Sequence, residues 1–399
     1  MTSFLLFLAS ILALPAVTFG AYRCLLPVLG KWRSGIHTDD AGKDVEGFSV
    51  GLVTVSHTHT SVLADKLTQF QLLADELKGT TTPVDAIYVG LDGVEAPDPC
   101  SQSEFKSAHD AGTVQWISSP VRKGKNHVLR NIVREATTEV LLFSDVDANV
   151  DSASCRALLK HLHHNDVGAV TGCRQIVDTS DFADGQKSYV AGDDKIRAAE
   201  MEHLGSVTSS DGKLYAIKTA LIDELPADVT DDLYTALGAV ASGKRLVSEP
   251  AAQAIIGRPA KDIRHELSRR RRVTTRGLST VWRRRALMNP FRTGGYGIGL
   301  FINKVLRRLA GPGLIMSAFC ILLLVAQLLF WLHSGWLYLM VGLSVIPLAL
   351  ILKSSPLRYL SLGLLGMSLG VIDFLCGKRI ERWEPRKQLA DGGDLGNAS

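Results

Sequence analysis

The segment "LLFSDVDANV" (141–150) is an apolar run that ends in two aspartates, Asp145 and Asp147, with one residue between them. Side chains at positions i and i+2 of an extended segment point to the same side, so the two carboxylates are expected to lie together. Like charges at that distance raise each other's pKa unless a cation lies between them. A divalent cation that also binds phosphate oxygens is the usual solution. The simpler alternative is a solvated Asp-rich turn after a strand, and this segment alone does not decide between the two.

The segments around this run alternate between strand-like and helix-like patterns. Four β-rich runs end in polar residues, at 48–56, 84–93, 113–120 and 138–145. Between the first two, "TSVLADKLTQFQLLADELK" has apolar residues at helical spacing and contains no Pro or Gly. Alternating strands and helices predict an α/β fold with a mostly parallel sheet, in which ligands bind beyond the carboxyl ends of the strands. Asp92 and the Asp145/Asp147 pair both fall at such ends, so the two groups are predicted to share one site.

Long uncharged stretches lie near both ends of the chain, at 4–20, 314–332, 336–352 and 357–376. Each is close to the ~20 residues that a helix needs to cross a bilayer. The first basic residues, Arg23, Lys31 and Arg33, follow the first stretch. This order favours a retained anchor over a cleaved signal peptide and places the following domain in the cytosol. We therefore expect a multi-pass protein of the cell membrane with a cytoplasmic domain.

The cysteine spacing and the charge distribution argue against a protein that binds a metal through cysteines or binds nucleic acid. The six cysteines are scattered without metal-ligand spacing, which is typical of a reducing compartment. The formal net charge is +4, but basic residues cluster in "RHELSRRRRVTTRGLSTVWRRR" (264–285). Just before apolar stretches, such a run favours a lipid-facing or solvated surface. No nucleic-acid reader is recognisable, and we expect no nucleic-acid partner.

Three groups in the first half of the chain fit a nucleotide sugar. Asp92, at the end of "IYVGLD", is suited to the base or the ribose. Lys125 opens a helix after a glycine turn, which places a cation and free backbone N–H groups beside phosphate. Asp145 and Asp147 would bind the ribose or sugar and a metal ion.

Two groups in the second half fit the transfer step. "VTDDL" (229–233) places Asp231 and Asp232 at a helix start, where the helix dipole favours their negative charge. One of them could deprotonate an acceptor hydroxyl. "RRRRV" (269–273) offers guanidinium groups to a leaving diphosphate.

Two other classes of site fit these residues less well. A phosphatase of the haloacid dehalogenase type also begins with an apolar run and DxDx[TV], but Asn149 stands where Thr or Val is needed, and several strands precede the motif. A P-loop is excluded because no Ser or Thr follows Lys125 and no Gly lies five residues before Gly124. A non-catalytic nucleotide-binding membrane protein is the remaining alternative.

In this order the motifs resemble those of membrane-bound glycosyltransferases of family 2, the inverting GT-A group that includes polysaccharide synthases and ceramide glucosyltransferases. The resemblance covers residues 46 to about 310. "GKN" (124–126) resembles the GK-x-x-x-L-N segment of the family, "FSDVDANV" matches its DxD, and "TDDL" (230–233) corresponds to T/S-E-D-x-x-L. The resemblance implies an α/β fold with a GT-A nucleotide-sugar-binding domain, built on a Rossmann-like mixed sheet and flanked by transmembrane helices.

The resemblance also implies roles for individual residues. Asp232 is the implied catalytic base. Arg272 is the best match for the arginine of Q-x-x-R-W, whose Gln and Trp are missing, so the resemblance does not imply processive transfer. "SDGKLYAIKTALI" (210–222) resembles the acceptor-binding stretch. The implied acceptor region comprises Asp211, Gly212, Tyr215 and Asp231.

The implied ligands follow from the same family. Mg²⁺ or Mn²⁺ would be held by Asp147 and Asp145. The donor would be a nucleotide sugar, with a UDP-sugar as the family's habit, and the acceptor a polysaccharide or a membrane lipid. Four apolar stretches are fewer than a polymer channel needs, so a polysaccharide acceptor would require a homo-oligomer or a channel-forming partner.

The predicted organisation has five parts: an N-terminal transmembrane anchor (1–30), a cytosolic GT-A domain (40–290), an interfacial amphipathic helix (298–311), C-terminal transmembrane helices (312–377) and a polar tail (378–399). In the amphipathic helix we expect Lys304, Arg307 and Arg308 to reach anionic headgroups. Four spans would put "KRIERWEPRK" (378–387) outside, against the positive-inside rule. The number of spans and the side of the C-terminus are therefore open.

Overall fold

The computed structural model describes residues 2–32, 46–59, 61–97, 105, 113–177, 181–257, 263–331 and 355–381. The predicted span at 336–352 lies outside the described residues, as do residues 382–399 of the predicted polar tail.

The strands of the described part are β1 (Val50–Ser56), β2 (Val84–Asp92), β3 (Val114–Ser119), β4 (Val140–Ser144), β5 (Ala148–Asn149), β6 (Val167–Ile176), β7 (Leu214–Lys218) and β8 (Arg245–Ile256). They form one sheet in the order β3-β2-β1-β4-β7-β6-β8-β5. The strands β3, β2, β1 and β4 are parallel, but β7 is antiparallel to both of its neighbours, β4 and β6. The predicted α/β fold is confirmed. The sheet is mixed, and only its first half is continuously parallel.

The helices are α1 (Thr2–Gly20), α2 (Tyr22–Gly30), α3 (Ser61–Leu77), α4 (Lys125–Glu135), α5 (Ser152–Leu159), α6 (Asp181–Leu204), α7 (Asp231–Ala241), α8 (Ile263–Arg283), α9 (Gly295–Phe301), α10 (Arg307–Trp331) and α11 (Ser355–Leu375). A π-helical turn (Ile302–Leu306) joins α9 to α10 without a break. Short 3₁₀ turns and a one-turn helix at Pro290–Thr293 complete the described elements.

The sheet is covered on both faces, as its apolar strands require. Leu63 and Leu67 of α3 and Leu158 of α5 belong to one buried cluster on the sheet. Val128 of α4 and Leu237 of α7 belong to a second. This packing fixes the starts of α4 and α7 near the carboxyl end of β4, where the candidate site lies.

Two helical segments are long and apolar enough to cross a membrane by length and composition, Thr2–Gly20 and Gly295–Gln327, and a shorter apolar helix spans Tyr359–Leu375. The helix α1 packs along α10, and the Ser317 hydroxyl donates a hydrogen bond to the Ala9 carbonyl (2.9 Å). Their outer sides expose large apolar residues such as Phe7 and Phe319. The multi-pass arrangement stays a prediction.

The basic side chains of the predicted interfacial helix lie elsewhere than expected. Lys304 is buried, and Arg307 pairs with Asp193 of α6 (2.6 Å). Arg308 packs against Gly277 of α8. The expectation that these three cations reach lipid headgroups is wrong, because the helix docks between α6 and α8 and turns its basic face toward the domain.

Candidate active site

The two aspartates of the DxD segment lie in the turn between β4 and β5, with their side chains partly exposed. A lysine lies between them: the Lys213 Nζ is 2.9 Å from Asp145 Oδ2 and 2.5 Å from Asp147 Oδ1. Lys213 lies within the stretch that resembles the acceptor-binding segment, but the sequence alone predicts no role for it. Its ammonium group supplies the positive charge that two neighbouring carboxylates need.

Lys125 continues this arrangement on the other side of Asp145. It opens α4 after Gly124, which turns the chain with a φ of 99°. The Lys125 Nζ lies 2.9 Å from Asp145 Oδ1 and 2.7 Å from Asp231 Oδ2. Burial raises the pKa of Asp145, but the two lysines outweigh this effect and hold the pKa well below its usual range. Asp147, Lys213, Asp145, Lys125 and Asp231 thus form a row of alternating charges, called the charge row below.

Asp92 shapes the loop that leads into α4. Its buried carboxylate accepts hydrogen bonds from the backbone N–H groups of Lys123 (2.8 Å) and Gly124 (3.0 Å). Because these bonds fix the loop, they also fix the position of Lys125. Contact of Asp92 with a nucleoside stays a prediction.

Asp231 and Asp232 open α7, as predicted, but their surroundings differ. Asp231 pairs with Lys125, whereas Asp232 has no ion pair among the described residues. Gly212 lies against Asp232, and a Cβ at that position would be 3.2 Å from Asp232 Oδ2. Burial and the neighbouring Asp231 raise the pKa of Asp232 to about 7. A carboxyl group with such a pKa is suited to accept a proton near neutral pH.

The loop before α7 is held by side chains from two other helices. Asn126 donates from Nδ2 to the carbonyls of Pro226 (2.7 Å) and Val229 (2.9 Å). Arg276 of α8 donates from Nε to the Val229 carbonyl (2.8 Å) and from Nη2 to Asn126 Oδ1 (2.9 Å). Part of the basic run therefore positions the two aspartates. Only the Asn of "GKN" gave a sequence signal for this role.

Arg272 lies one turn before Arg276 on α8. Burial and the cations of Arg276 and Arg269 lower its pKa to about 10, against the opposing effect of Asp231 and Asp145. These two acids belong to the charge row, so Arg272 lies on the side of the site where Lys125 is found.

Two residues of the predicted acceptor region are buried beneath the site. Tyr215 is 2% exposed, and its ring stacks on Phe143 with centroids 4.6 Å apart. The Asp211 carboxylate, also 2% exposed, accepts hydrogen bonds from Arg174 Nε (2.7 Å) and from the Lys213 backbone N–H (3.1 Å). The buried positions of Tyr215 and Asp211 indicate that these two residues hold the backbone of Gly212 and Lys213 in place.

Residues 140–369 match the family model described as "Glycosyl transferase family group 2". This match spans more than half of the chain and includes β4, both ends of the charge row and α8. The chain belongs to glycosyltransferase family 2. The predicted resemblance is confirmed, and the protein is a transferase enzyme.

Individual relatives of this glycosyltransferase are distant. The protein RfbJ of Shigella flexneri is 25% identical over 128 residues, which cover 32% of this chain and 87% of RfbJ. The structure of the mannosyltransferase PcManGT from Pyrobaculum calidifontis, in complex with GDP-Man and Mn²⁺, is 18% identical, with a TM-score of 0.69 over 94% of this chain and 100% of that one. At this identity the likeness concerns the fold, which is of the GT-A type. A looser match, with a TM-score of 0.39 and 14% identity, covers 59% of this chain and 78% of glucosyl-3-phosphoglycerate synthase from Mycobacterium tuberculosis.

A second lysine that sequence reasoning missed supports the DxD turn of this glycosyltransferase. Lys66 of α3 is 3% exposed. Its Nζ donates hydrogen bonds to the Ser144 hydroxyl (2.7 Å) and the Ala148 carbonyl (2.8 Å). These two residues flank Asp145 and Asp147, so one ammonium group ties both ends of the turn. The sequence signal that could have indicated this role is a lysine at a position of α3 where apolar residues are expected.

We expect Lys66→Met to weaken the binding of Mn²⁺ with nucleoside diphosphate by about tenfold. Two buried acceptors lose their donor, at a cost of roughly 1–3 kcal/mol, and the turn is no longer tied at both ends. Titration calorimetry of the variant measures the change. Lys78→Met, an exposed lysine just after the same helix, is the matched control. Unchanged metal and nucleotide binding in a folded Lys66→Met protein would contradict this role.

Proposed function

We propose that this glycosyltransferase moves a sugar from a nucleotide sugar to a polysaccharide or membrane-lipid acceptor, with inversion at the anomeric carbon. The observation that carries the proposal is the charge row and its end point. Asp147, Lys213, Asp145, Lys125 and Asp231 bring cations and oxygen ligands together. Directly beside them stands Asp232, a carboxyl group with a pKa near 7. A diphosphate requires the cations and oxygen ligands of the charge row, and an acceptor hydroxyl requires a base such as Asp232.

The residues of the DxD turn fit Mg²⁺ or Mn²⁺. Asp145 and Asp147 offer hard oxygen ligands, and the ammonium of Lys213 already marks a place for positive charge between them. Within the described ranges no group of three or more His, Cys, Asp or Glu side chains could hold a metal by itself. The remaining ligands would come from the diphosphate and water. When bound, the ion would neutralise charge on the diphosphate.

The chain's own groups divide the remaining work between donor and acceptor. Lys125 and Arg272 would stabilise the negative charge that develops on the departing diphosphate. Asp92 would bind the base or ribose from the loop that it shapes. Asp232 would accept the proton of the acceptor hydroxyl while that oxygen attacks the anomeric carbon from the face opposite the diphosphate. A single carboxylate base is sufficient for such an inverting step.

A donor screen tests this function. Purified protein in detergent is given Mn²⁺ and each of a panel of UDP- and GDP-sugars, and released nucleotide is measured with and without lipid extract. We expect metal-dependent release from one class of nucleotide sugar and a further increase when the acceptor is present. Absence of turnover of every nucleotide sugar under these conditions would contradict the proposal. A UDP-sugar is the family's habit, and GDP-Man is bound by the similar PcManGT, so both classes belong in the panel.

We further propose that the domain works at the cytoplasmic face of a cell membrane. The observation in support is the pair of long apolar helices, Thr2–Gly20 and Gly295–Gln327, which pack on each other and directly follow or precede domain elements. Protease digestion of sealed inside-out vesicles should cut the domain, whereas right-side-out vesicles should protect it. The reverse pattern would contradict this orientation.

A further inference from the structure

Three helices, α6, α8 and α10, meet at the π turn that joins α9 to α10. The π turn and the start of α10 pack against α8 on one side, and Arg307 bonds to Asp193 of α6 on the other. The contact with α8 is close, because a Cβ on Gly277 would collide with Arg308 Nη2. The Arg308 guanidinium therefore occupies space that any other residue at position 277 would fill.

Lys304 and Arg308 lie one helical turn apart on the face that is turned into the domain. Lys304 is 8% exposed, and its backbone carbonyl accepts a hydrogen bond from Arg308 Nη1. In the part of the chain that the structure describes, neither side chain forms an ion pair with a carboxylate. Arg307, between them in sequence, does form one with Asp193 (2.6 Å).

Three acids lie within electrostatic range of these two cations: Asp193, Glu200 and Asp232. Asp193 is bonded to Arg307, and Glu200 to Tyr22, Thr208 and Asn303, whereas Asp232 forms no ion pair among the described residues. Among these three acids only Asp232 is left to oppose the charge of the two cations, and one carboxyl group does not balance both. Two like charges that are held together away from water are costly unless an anion joins them.

Arg308, with Lys304 one turn before it, lies on the side of the site where Asp232 is found. Arg308 is within electrostatic range of Asp232 and Asp193. Arg272 is within range of Asp231 and Asp145, which belong to the charge row. Arg272 and Arg308 are thus within range of different acids, the first of the donor groups and the second of the base. A role for Lys304 and Arg308 in holding the leaving diphosphate is disfavoured by this separation.

We propose that Lys304 and Arg308 bind an anionic phosphate group of the acceptor, next to the hydroxyl that Asp232 deprotonates. The proposal rests on the proposed function, since it assigns the chemical class of the second substrate of that site. A guanidinium group matches two phosphate oxygens at once, and a lysine adds a point charge behind it. With a neutral acceptor, whether sugar or lipid, the carboxyl group of Asp232 alone would have to oppose both cations.

The first test measures phosphate binding without turnover. The full chain in neutral detergent is saturated with nucleoside diphosphate and Mn²⁺, so that the donor groups are filled, and is then titrated with inorganic phosphate at constant ionic strength. We expect Arg308→Gln and Lys304→Gln each to weaken phosphate binding at least tenfold, and Lys304→Arg to restore most of it. The control is Arg285→Gln, an exposed arginine beside Trp282, which should bind phosphate like the wild type. Unchanged phosphate affinity in folded Arg308→Gln would overturn the proposal.

The second test separates a soluble phosphate from a lipid headgroup. Transfer is measured with glycerol 3-phosphate, with phosphatidylglycerol in mixed micelles, and with neutral diacylglycerol in the same micelles. We expect one of the two phosphate-bearing compounds to be used, with an acceptor KM that rises at least tenfold in Arg308→Gln. Neutral diacylglycerol used as efficiently as phosphatidylglycerol would overturn the proposal.

The two proposals fail in different ways. Phosphate binding that depends on Arg308, in a protein that turns over no nucleotide sugar, would count against the proposed function alone. Metal-dependent transfer by a protein that binds no phosphate would count against the anionic acceptor alone.

Discussion

Asp147→Ala is expected to abolish sugar transfer, with a loss of about 10³-fold or more in kcat/KM, because a bridging cation contributes several kcal/mol of charge stabilisation. Asp147 contacts Lys213, and only Asp145 would remain to hold a divalent ion on the protein. The diphosphate would then lack the ion that neutralises its charge. Nucleotide binding should at the same time lose its dependence on Mg²⁺ or Mn²⁺.

The measurement combines initial rates with metal titrations of nucleotide binding, using the donor from the screen. Asp75→Ala, an exposed aspartate of α3, serves as the control and should leave both quantities unchanged. Asp145→Ala should weaken donor binding as well, because Lys125 and Lys213 both bond to this carboxylate. Metal-independent activity near that of the wild type in Asp147→Ala would show that the DxD turn is not the donor site.

Asp232→Asn is expected to lower the rate of transfer by about 10²-fold or more, on the scale of general-base effects. The amide keeps the shape of the side chain but cannot accept the proton. Nucleotide affinity should change little, because the ion pairs of the charge row end at Asp231. The corresponding change at Asp231 removes the partner of Lys125 and should weaken nucleotide binding instead.

The pH profile gives an independent test of the same assignment. Burial and Asp231 raise the pKa of Asp232 to about 7, so the base is ionised above that pH and protonated below it. We expect kcat/KM of the wild type to fall as the pH drops through about 7. In Asp231→Asn the repulsion between the two carboxylates is gone, which should lower the pKa of Asp232 and move this limb to lower pH. If Asp231→Asn loses the catalytic step and Asp232→Asn does not, the base is Asp231.

Local sequence was sufficient to place the ends of the secondary-structure elements. Asp92 closes β2, Asp145 and Asp147 follow β4, and Lys125 and Asp231 open α4 and α7. Apolar periodicity, a glycine turn and acidic residues at a helix start are short-range signals, because they depend on neighbours within a few residues. The same signals indicated the α/β fold, and the order of the motifs indicated the family.

Other functional groups could not be found this way because their partners are far apart in the chain. Lys213 meets Asp145 because β7 pairs antiparallel with β4 in a register that sets Ser144 opposite Leu214. Lys66 reaches the DxD turn because α3 packs on the same face of the sheet as α5. Pattern within a strand or helix does not specify such a register or docking position.

The amphipathic segment with Lys304, Arg307 and Arg308 shows most clearly what the sequence pattern does not determine. An apolar face opposite a basic face is equally compatible with a lipid interface and with a position packed against other helices of the same protein. The sequence by itself determined the family, the strand ends and the acidic residues of the site. Only the tertiary structure decided which cations meet those acids and which way the basic helix face turns, because a charge takes its partner from whatever element docks beside it.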